Sequence, residues 1–402
     1  MITFAFDRKG VHGFVPNLVT KTDIVPKSDE WWDLCITPPF SYEFRLMRYM
    51  ELDGVPYETV LVNEITEATG PVTYPINLNF FDPEIDYIGL ISDEAQTLCR
   101  EGKLTILFYY SEGDNPKSHI ENNLQAMCEK HQIPMEKIRF VIANRTVHGK
   151  GPFIYFPDDE VYYRYLHVRE QDYIKQVNVQ PRSKIYTCLN RMDKPFRKLF
   201  ASSLWYHGLA DNGYFSYTGM RYQIEHNEHL TDPVYKWTNH WQDIDKLFDN
   251  FSMHMPFKAD ELDDIGHNNH KLIDPRFYQD AYFNFVVETH FSKNNIFLTE
   301  KTFKPILNLQ PFVIVGAPGS LKLLKELGYE TFGDWIDESY DKIKNDEERM
   351  FECFALAYEI NKMPHEDLIA MTKEMIPVLA HNQQLLLNSK RERLEKLIKE
   401  IL

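Results

Sequence analysis

Residues 281–341 read AYFNFVVETHFSKNNIFLTEKTFKPILNLQPFVIVGAPGSLKLLKELGYETFGDWIDESYD. The apolar run Tyr282 to Val287 ends in Glu288 and Thr289. A polar loop follows, with Ser292, Lys293, Asn294 and Asn295, and then Thr299-Glu300-Lys301 opens a helical pattern from Thr302 to Leu309. A second apolar run, Phe312 to Val315, breaks at Gly316. The order is strand, loop, helix, strand, and the runs are short and apolar throughout. That is the pattern of strands buried on both faces of a parallel sheet. Thr299 is placed to cap the helix, whose positive end favours an anion. Lys301 sits in the first turn, where a cation opposes the helix dipole, and a bound phosphate would compensate. Glu300 is placed either to accept hydrogen bonds from a ribose diol or to serve as a helix-start capping residue.

Working outward, Ile185 to Leu189 reads as the first strand of the same unit. Asn190-Arg191-Met192-Asp193-Lys194 then turns into a helix from Phe196 to His207, with Pro195 at its first position. Gly213 to Thr218 is a further short strand. Between Arg221 and Asn269 the chain is polar and His-rich without clear period, and reads as a long insertion. Asp243-Ile244-Asp245 lies there and reads as a solvated helix face. The pairs His226/His229 and His267/His270 carry a helical metal-ligand spacing in loop-like sequence, without a third ligand. Exposed or hydrogen-bonded histidine is the expectation, with metal binding as the alternative.

In the first half, Thr105 to Tyr110 reads as a strand, followed by Ser111-Glu112-Gly113-Asp114-Asn115-Pro116. A helix from Ser118 to His131 and a strand from Arg139 to Ala143 complete a βαβ crossover. Glu112 and Asp114 would then lie beyond a strand's carboxyl end, where open parallel sheets bind ligands. Alternatively they cap the following helix. Ser92 to Glu101 reads as a helix capped by Ser92, Tyr57 to Val62 and Tyr87 to Leu90 as strands, and the Pro- and Asn-rich stretch from Pro71 to Pro83 as loop. Met1 to Pro39 reads as irregular, apart from a helix start at Ser28 to Trp32, and Phe40 to Leu52 as helix. Glu170 to Ser183 reads as a linker. Ser389 to Leu402 reads as a charged amphipathic helix, with Leu394, Leu397, Ile398 and Ile401 on one face.

The series Glu288-Thr289, Thr299-Glu300-Lys301 and an apolar strand ending in Gly316 resembles the nucleotide-binding signature of fucosyltransferase-like and exostosin-like glycosyltransferases. Glu300 to Gly316 also resembles unassigned proteins of tailed phages. The resemblance departs at Thr289, where those families carry Asn after Glu. It implies the GT-B architecture: an α/β protein of two Rossmann-like domains facing across a cleft. The expected division is 1–180 for an acceptor and base domain, 181–380 for a nucleotide-sugar-binding domain, and 381–402 for the C-terminal helix. The implied activity is transfer of a hexosyl or pentosyl group from a nucleotide-diphosphate sugar to an acceptor hydroxyl, inverting and without metal or other cofactor. The resemblance gives Arg191 and Arg197 to the diphosphate, together with Lys301. Surface salt bridges are the alternative for these cations. Glu288, Thr299 and Glu300 complete the donor site. Glu112 resembles the family's first-domain Glu turn and becomes the candidate general base. The acceptor is a glycan or, following the phage likeness, a hydroxymethylated DNA base reached by flipping or in single strands. A GT-B-derived binding or assembly protein without catalysis is the third possibility.

Composition bounds these readings. The formal charge of −16 leaves no excess of Lys and Arg to displace counterions, which weighs against general affinity for nucleic acid but allows a local basic strip. The candidates for such a strip are Lys194, Lys198, Arg221, Lys390, Arg391 and Arg393. Cys35, Cys99, Cys128, Cys188 and Cys353 form no CxxC pair, as expected of structural thiols in a reducing compartment. Met1 to Phe6 is short and runs into charged residues, so no secretory leader is expected, and no run reaches the ~20 apolar residues needed to span a bilayer. The expected location is cytoplasmic, host cytoplasm if phage-encoded. No GxGxxG, GxxxxGK[ST] or GxSxG occurs in a supporting context, so dinucleotide redox, Walker-type and serine hydrolase chemistry are not expected.

Overall fold

The computed structural model describes residues 1–7, 45–66, 70–78, 81–113, 115, 119–162, 173–220, 233–259, 274–388 and 390–402. The Ser28 to Trp32 helix start, Asp114, Ser118, Arg221 and both His pairs lie outside the described residues. The chain is α/β, with two separate parallel sheets in two compact units. The first unit spans Met1–Val161 and takes back Ser389–Leu402; the second spans Tyr162–Asn388.

The first unit is built on β1 (Ile2–Phe6), β2 (Tyr57–Leu61), β3 (Val72–Leu78), β4 (Leu104–Tyr110), β5 (Ile138–Ile142) and β6 (Phe153–Tyr155). Their order is β2-β1-β3-β4-β5-β6, all parallel. Three helices precede the sheet's last strands: α1 (Arg45–Leu52), α2 (Asp93–Arg100) and α3 (Ile120–His131). Residues Ile106, Phe108 and Tyr110 of β4 share one core with Ala95 and Cys99 of α2 and Leu124 of α3. Tyr109 points the other way, where its hydroxyl and that of Tyr49 on α1 both donate to the buried carboxylate of Asp158. Alternation along a strand sends neighbours to opposite faces, so both faces of this sheet are covered.

Two strands here depart from the sequence reading. Met1 to Phe6, read as irregular, supplies β1, and the expected Pro-rich loop supplies β3. Five residues carry too little period to announce a strand. Pro75 sits inside β3 opposite Leu107 of β4, beyond the point where β1 ceases to pair at Thr73. Its missing N–H therefore interrupts no pairing with β1. Tyr87 to Leu90, read as a strand, is instead a 3-10 turn at Ile88–Leu90, with Asp86 accepting from the Gly89 N–H. The Ser92 cap is as expected: its hydroxyl accepts from the Ala95 N–H at 3.1 Å.

The second unit carries β7 (Lys184–Met192), β8 (Gly213–Met220), β9 (Ala281–Val287) and β10 (Phe312–Val315), in the order β10-β9-β7-β8 and all parallel. Its helices of seven or more residues, among the described residues, are α4 (Pro195–Tyr206), α5 (Ile244–Met253), α6 (Glu300–Leu307), α7 (Ser320–Glu326), α8 (Asp346–Lys362), α9 (His365–Glu374) and α10 (Ile376–Asn388). Every residue of β9 and β10 is buried, as their unbroken apolar runs require. The helix α5 interrupts the segment read as unperiodic, and Asp243 is its N-cap, accepting from the Lys246 N–H. The described end of the expected linker is bonded to this unit rather than free. Arg182 donates to the carbonyls of Ala281 and Asn178, and the Ile174 N–H donates to Asn308.

The last helix, α11 (Lys390–Ile401), packs against α1 and β6 of the first unit. Leu394, Leu397, Ile398 and Ile401 are all buried, the face its period announced. Arg393 of α11 reaches the carboxylate of Glu160, which is 2% exposed, at 3.1 Å. Among the described residues, no helix is long and apolar enough to cross a membrane.

Candidate anion-binding site

The strand order of the second sheet decides where its site lies. From β7 the chain moves outward to β8, then returns to place β9 on the other side of β7 and β10 beyond it. The order reverses between β7 and β9, and ligands of open α/β sheets sit beyond the carboxyl ends of the strands at that reversal. The residues at and beyond those two ends are Arg191 and Met192, the last of β7, then Asp193 to Arg197, and Glu288 to Thr289 after β9.

Glu288 is the first residue after β9 and is 1% exposed. Its Oε1 accepts from the Thr299 N–H at 3.0 Å and the Thr302 hydroxyl at 2.6 Å. Its Oε2 accepts from the Thr299 hydroxyl at 2.6 Å and the Thr289 N–H at 3.1 Å. One carboxylate thus ties the strand end to the N-terminus of α6. Thr299 is the cap expected from sequence: its Oγ1 accepts from the Lys301 N–H at 3.3 Å. Gly316 closes the far side, because a Cβ there would lie 3.3 Å from the Glu288 Cβ and 3.1 Å from the Ile314 Cγ2.

Three cations converge on Thr289. Lys194, in the turn after β7, donates to its carbonyl at 3.1 Å. Lys301 donates to its hydroxyl at 3.3 Å, and Arg197 Nη2 approaches the same hydroxyl at 3.5 Å. Arg197 is 3% exposed and spends Nε and Nη2 on the Glu288 carbonyl, at 3.1 and 2.9 Å. Its Nη1 has no partner among the described residues. Burial lowers the Arg197 pKa, while Glu288 and Glu300 pull it back up. Lys301 also pairs with the Glu300 carboxylate at 2.8 Å. Burial pushes Lys304, one turn further along α6, down to about 8, against the pull of Glu300.

His290 registers the same concentration of charge. Burial, and then the nearby Lys194, Arg197 and Lys301, push its ring down to about 3, so it is neutral near pH 7. Its Nδ1 lies 3.2 Å from the Asn295 amide nitrogen, and its ring lies against Phe297. With His290 neutral, the carboxylates of the cluster among the described residues are Glu288, whose oxygens are taken up by Thr289, Thr299 and Thr302, and Glu300, which pairs with Lys301. The cluster therefore offers cationic donors and suits a multiply charged anion.

Arg191 lies at the end of β7, its carbonyl accepting from the Thr218 hydroxyl. Its Nε is buried with no hydrogen-bond partner among the described residues. The structure thus brings Arg197, Glu288, Thr299, Glu300 and Lys301 into one bonded network and places Arg191 at the same strand end. Glu112 belongs to the first unit, two residues past β4, half-buried, with its carbonyl accepting from the Ala143 N–H at 3.1 Å.

Sequence reasoning misses three supports of this network. It gives Lys194 only to a basic strip, and nothing in the pattern singles out His290. Arg349 of α8, 1% exposed, is inconspicuous inside a charged helix start. It donates to the carbonyls of Gly316, Ile343 and Phe291 and to Asp346, with its guanidinium 4.2 Å from the Phe291 ring centroid. It holds the loop after β9 against the loop after β10. The helix start after that second loop is closed to ligands. Asp341 accepts there from the N–H groups of Gly319, Leu321 and Lys322.

Among the described residues, no group of three or more His, Cys, Asp or Glu could hold a metal ion. No family model matches the chain, and no curated protein matches it. Among solved structures, the apo structure of OtsA is similar over 96% of this chain and 81% of its own, at 14% identity and a TM-score of 0.37. A likeness at that level assigns no activity to this chain.

Proposed function

We propose that the second unit binds the diphosphate of a nucleotide sugar beyond the ends of β7 and β9, and that the protein is a glycosyltransferase. The observation that carries this reading is the convergence of Lys194, Arg197 and Lys301 on Thr289 at the strand-order reversal. A nucleoside diphosphate leaves with negative charge on its terminal oxygens, and fixed cationic donors stabilise that charge as it develops. Lys301 and the Arg197 Nη1 supply such donors, and Arg191 Nε supplies another from β7. Glu300 takes the ribose diol or aims the Lys301 ammonium.

In the transfer step, the acceptor oxygen forms a bond to the anomeric carbon while that carbon's bond to the diphosphate breaks. The diphosphate departs with the electron pair, and the acceptor proton passes to a base. We assign the base to Glu112. An in-line displacement of this kind inverts the anomeric centre. No metal is assigned to the step.

The test is a thermal-shift screen against UDP, GDP, CMP and their sugar conjugates, repeated with Lys301→Ala. A ligand at a hundred times its Kd stabilises by about 2.7 kcal/mol. One diphosphate should raise Tm in the wild type and lose most of that effect in the variant. Well-folded protein that responds to none of them would sink the donor site.

A further inference from the structure

The first unit has a strand-order reversal of its own, between β1 and β3. The residue beyond the end of β1 is Asp7, half-buried. Tyr74 of β3 donates its hydroxyl to Asp7 Oδ2 at 2.7 Å. Ser92, the cap of α2, donates its hydroxyl to Oδ1 at 2.5 Å. Each oxygen is thus aimed by one hydroxyl, and a carboxylate carries about four acceptor sites, so about two remain. Burial and the Asp7 charge raise the Tyr74 pKa, which keeps that hydroxyl protonated and donating. Among the described residues no cation pairs with Asp7, although buried or half-buried carboxylates are ordinarily matched by one. A carboxylate held by two hydroxyl donors, with acceptor capacity left over, suits a ligand that donates hydrogen bonds. A carbohydrate diol does this with two adjacent hydroxyls.

We propose that Asp7 binds hydroxyls of the acceptor, and that the acceptor is a carbohydrate held beyond the ends of β1 and β3. This rests on the glycosyltransferase reading for the role of acceptor, but the binding site itself can be tested apart from it. Asp7 contacts substrate and orients it; no proton transfer is assigned to it. The order of strands places the carboxylate at the position where sheets of this order take their ligands. The paired hydroxyl donors of Tyr74 and Ser92 fix its direction, so a diol meets a preorganised acceptor pair rather than a mobile side chain.

The experiment is saturation-transfer NMR on the full chain with glucose, galactose and mannose at tens of millimolar, for wild type and Asp7→Asn. Wild type should transfer saturation to at least one hexose, and the variant should bind it about tenfold more weakly, the loss of a bond to a charged acceptor. Tyr74→Phe keeps the carboxylate and removes one of its guides, so it should weaken the hexose signal by a smaller factor. That variant carries the test if Asp7→Asn does not fold. Absence of transfer to all three sugars in wild type overturns the proposal, as does an unchanged signal in Asp7→Asn or, should that variant be unfolded, in Tyr74→Phe. Thermal shifts with nucleotide diphosphates are measured on the same samples. Loss of that response with hexose binding intact refutes the donor site and leaves the Asp7 site standing. A retained nucleotide response without hexose binding refutes Asp7 alone.

Discussion

The Glu288 carboxylate should be the most costly single polar group to alter in the second unit. In Glu288→Gln one oxygen becomes an NH2 group. Whichever way the amide turns, that NH2 faces one backbone N–H, of Thr299 or of Thr289, and one threonine hydroxyl. The hydroxyl can rotate to accept, but the backbone N–H cannot. The change therefore removes at least one hydrogen bond to a charged acceptor, about 1.5–3 kcal/mol, and strands a donor at a further cost of about 1–3 kcal/mol. It also deletes the negative charge beside the Arg197 guanidinium. The expected loss is about 3–5 kcal/mol, with Glu288→Ala losing more. Urea unfolding followed by tryptophan fluorescence would measure it, because Trp205, Trp237, Trp241 and Trp335 all lie in the second unit. The change should appear as a lower midpoint at unchanged slope. A loss below about 1 kcal/mol would refute the claim that this carboxylate, rather than apolar packing, ties β9 to α6.

The same geometry sets four more outcomes. His290 is depressed to about 3 when folded against about 6.5 when unfolded, so the unfolded chain binds the extra proton between those values. Its stabilising contribution is full above about pH 6.5 and is lost as pH falls from there through 3, at up to about 1.4 kcal/mol per pH unit. Denaturation midpoints across that range should fall less steeply for His290→Gln than for wild type; parallel curves would contradict the shift. Gly316→Ala forces a methyl against Ile314 and Glu288 and should destabilise by about 1–3 kcal/mol, read by the same unfolding assay. Lys301→Ala should weaken diphosphate binding by about ten- to a hundredfold in isothermal calorimetry, with Tm of the unliganded protein nearly unchanged. Under the glycosyltransferase reading, Glu112→Gln should lower turnover by about 10²–10⁴-fold while leaving nucleotide affinity intact, as measured by release of the nucleoside diphosphate.

The apolar runs of β4, β7, β9 and β10 are legible in the sequence because strands buried on both faces need no polar alternation. Thr299 is legible as a cap, and α11 by its period. What the sequence conceals depends on contacts between distant positions. Glu288 reads as a ligand residue, but its four hydrogen bonds show a carboxylate occupied in holding the loop. Nothing local marks Arg349 as buried, because its partners Phe291 and Gly316 are far away in sequence. The strand β3 is hidden by Pro75, whose fitness for a sheet interior depends on where β1 stops pairing. Thr289 becomes intelligible only with the three cations around it.

The return of α11 to the first unit has a consequence for how the chain is made. The second unit is one unbroken stretch, whereas the first is assembled from two stretches separated by all of it. During synthesis the second unit can therefore finish folding while the first still lacks the apolar face of Leu394, Leu397, Ile398 and Ile401. Until α11 emerges, a nascent first unit lacks the packing of α11 on α1 and the Arg393 partner of Glu160. A stop ahead of Lys390 would spare all ten strands of the described residues, yet it would injure the domain that was translated first.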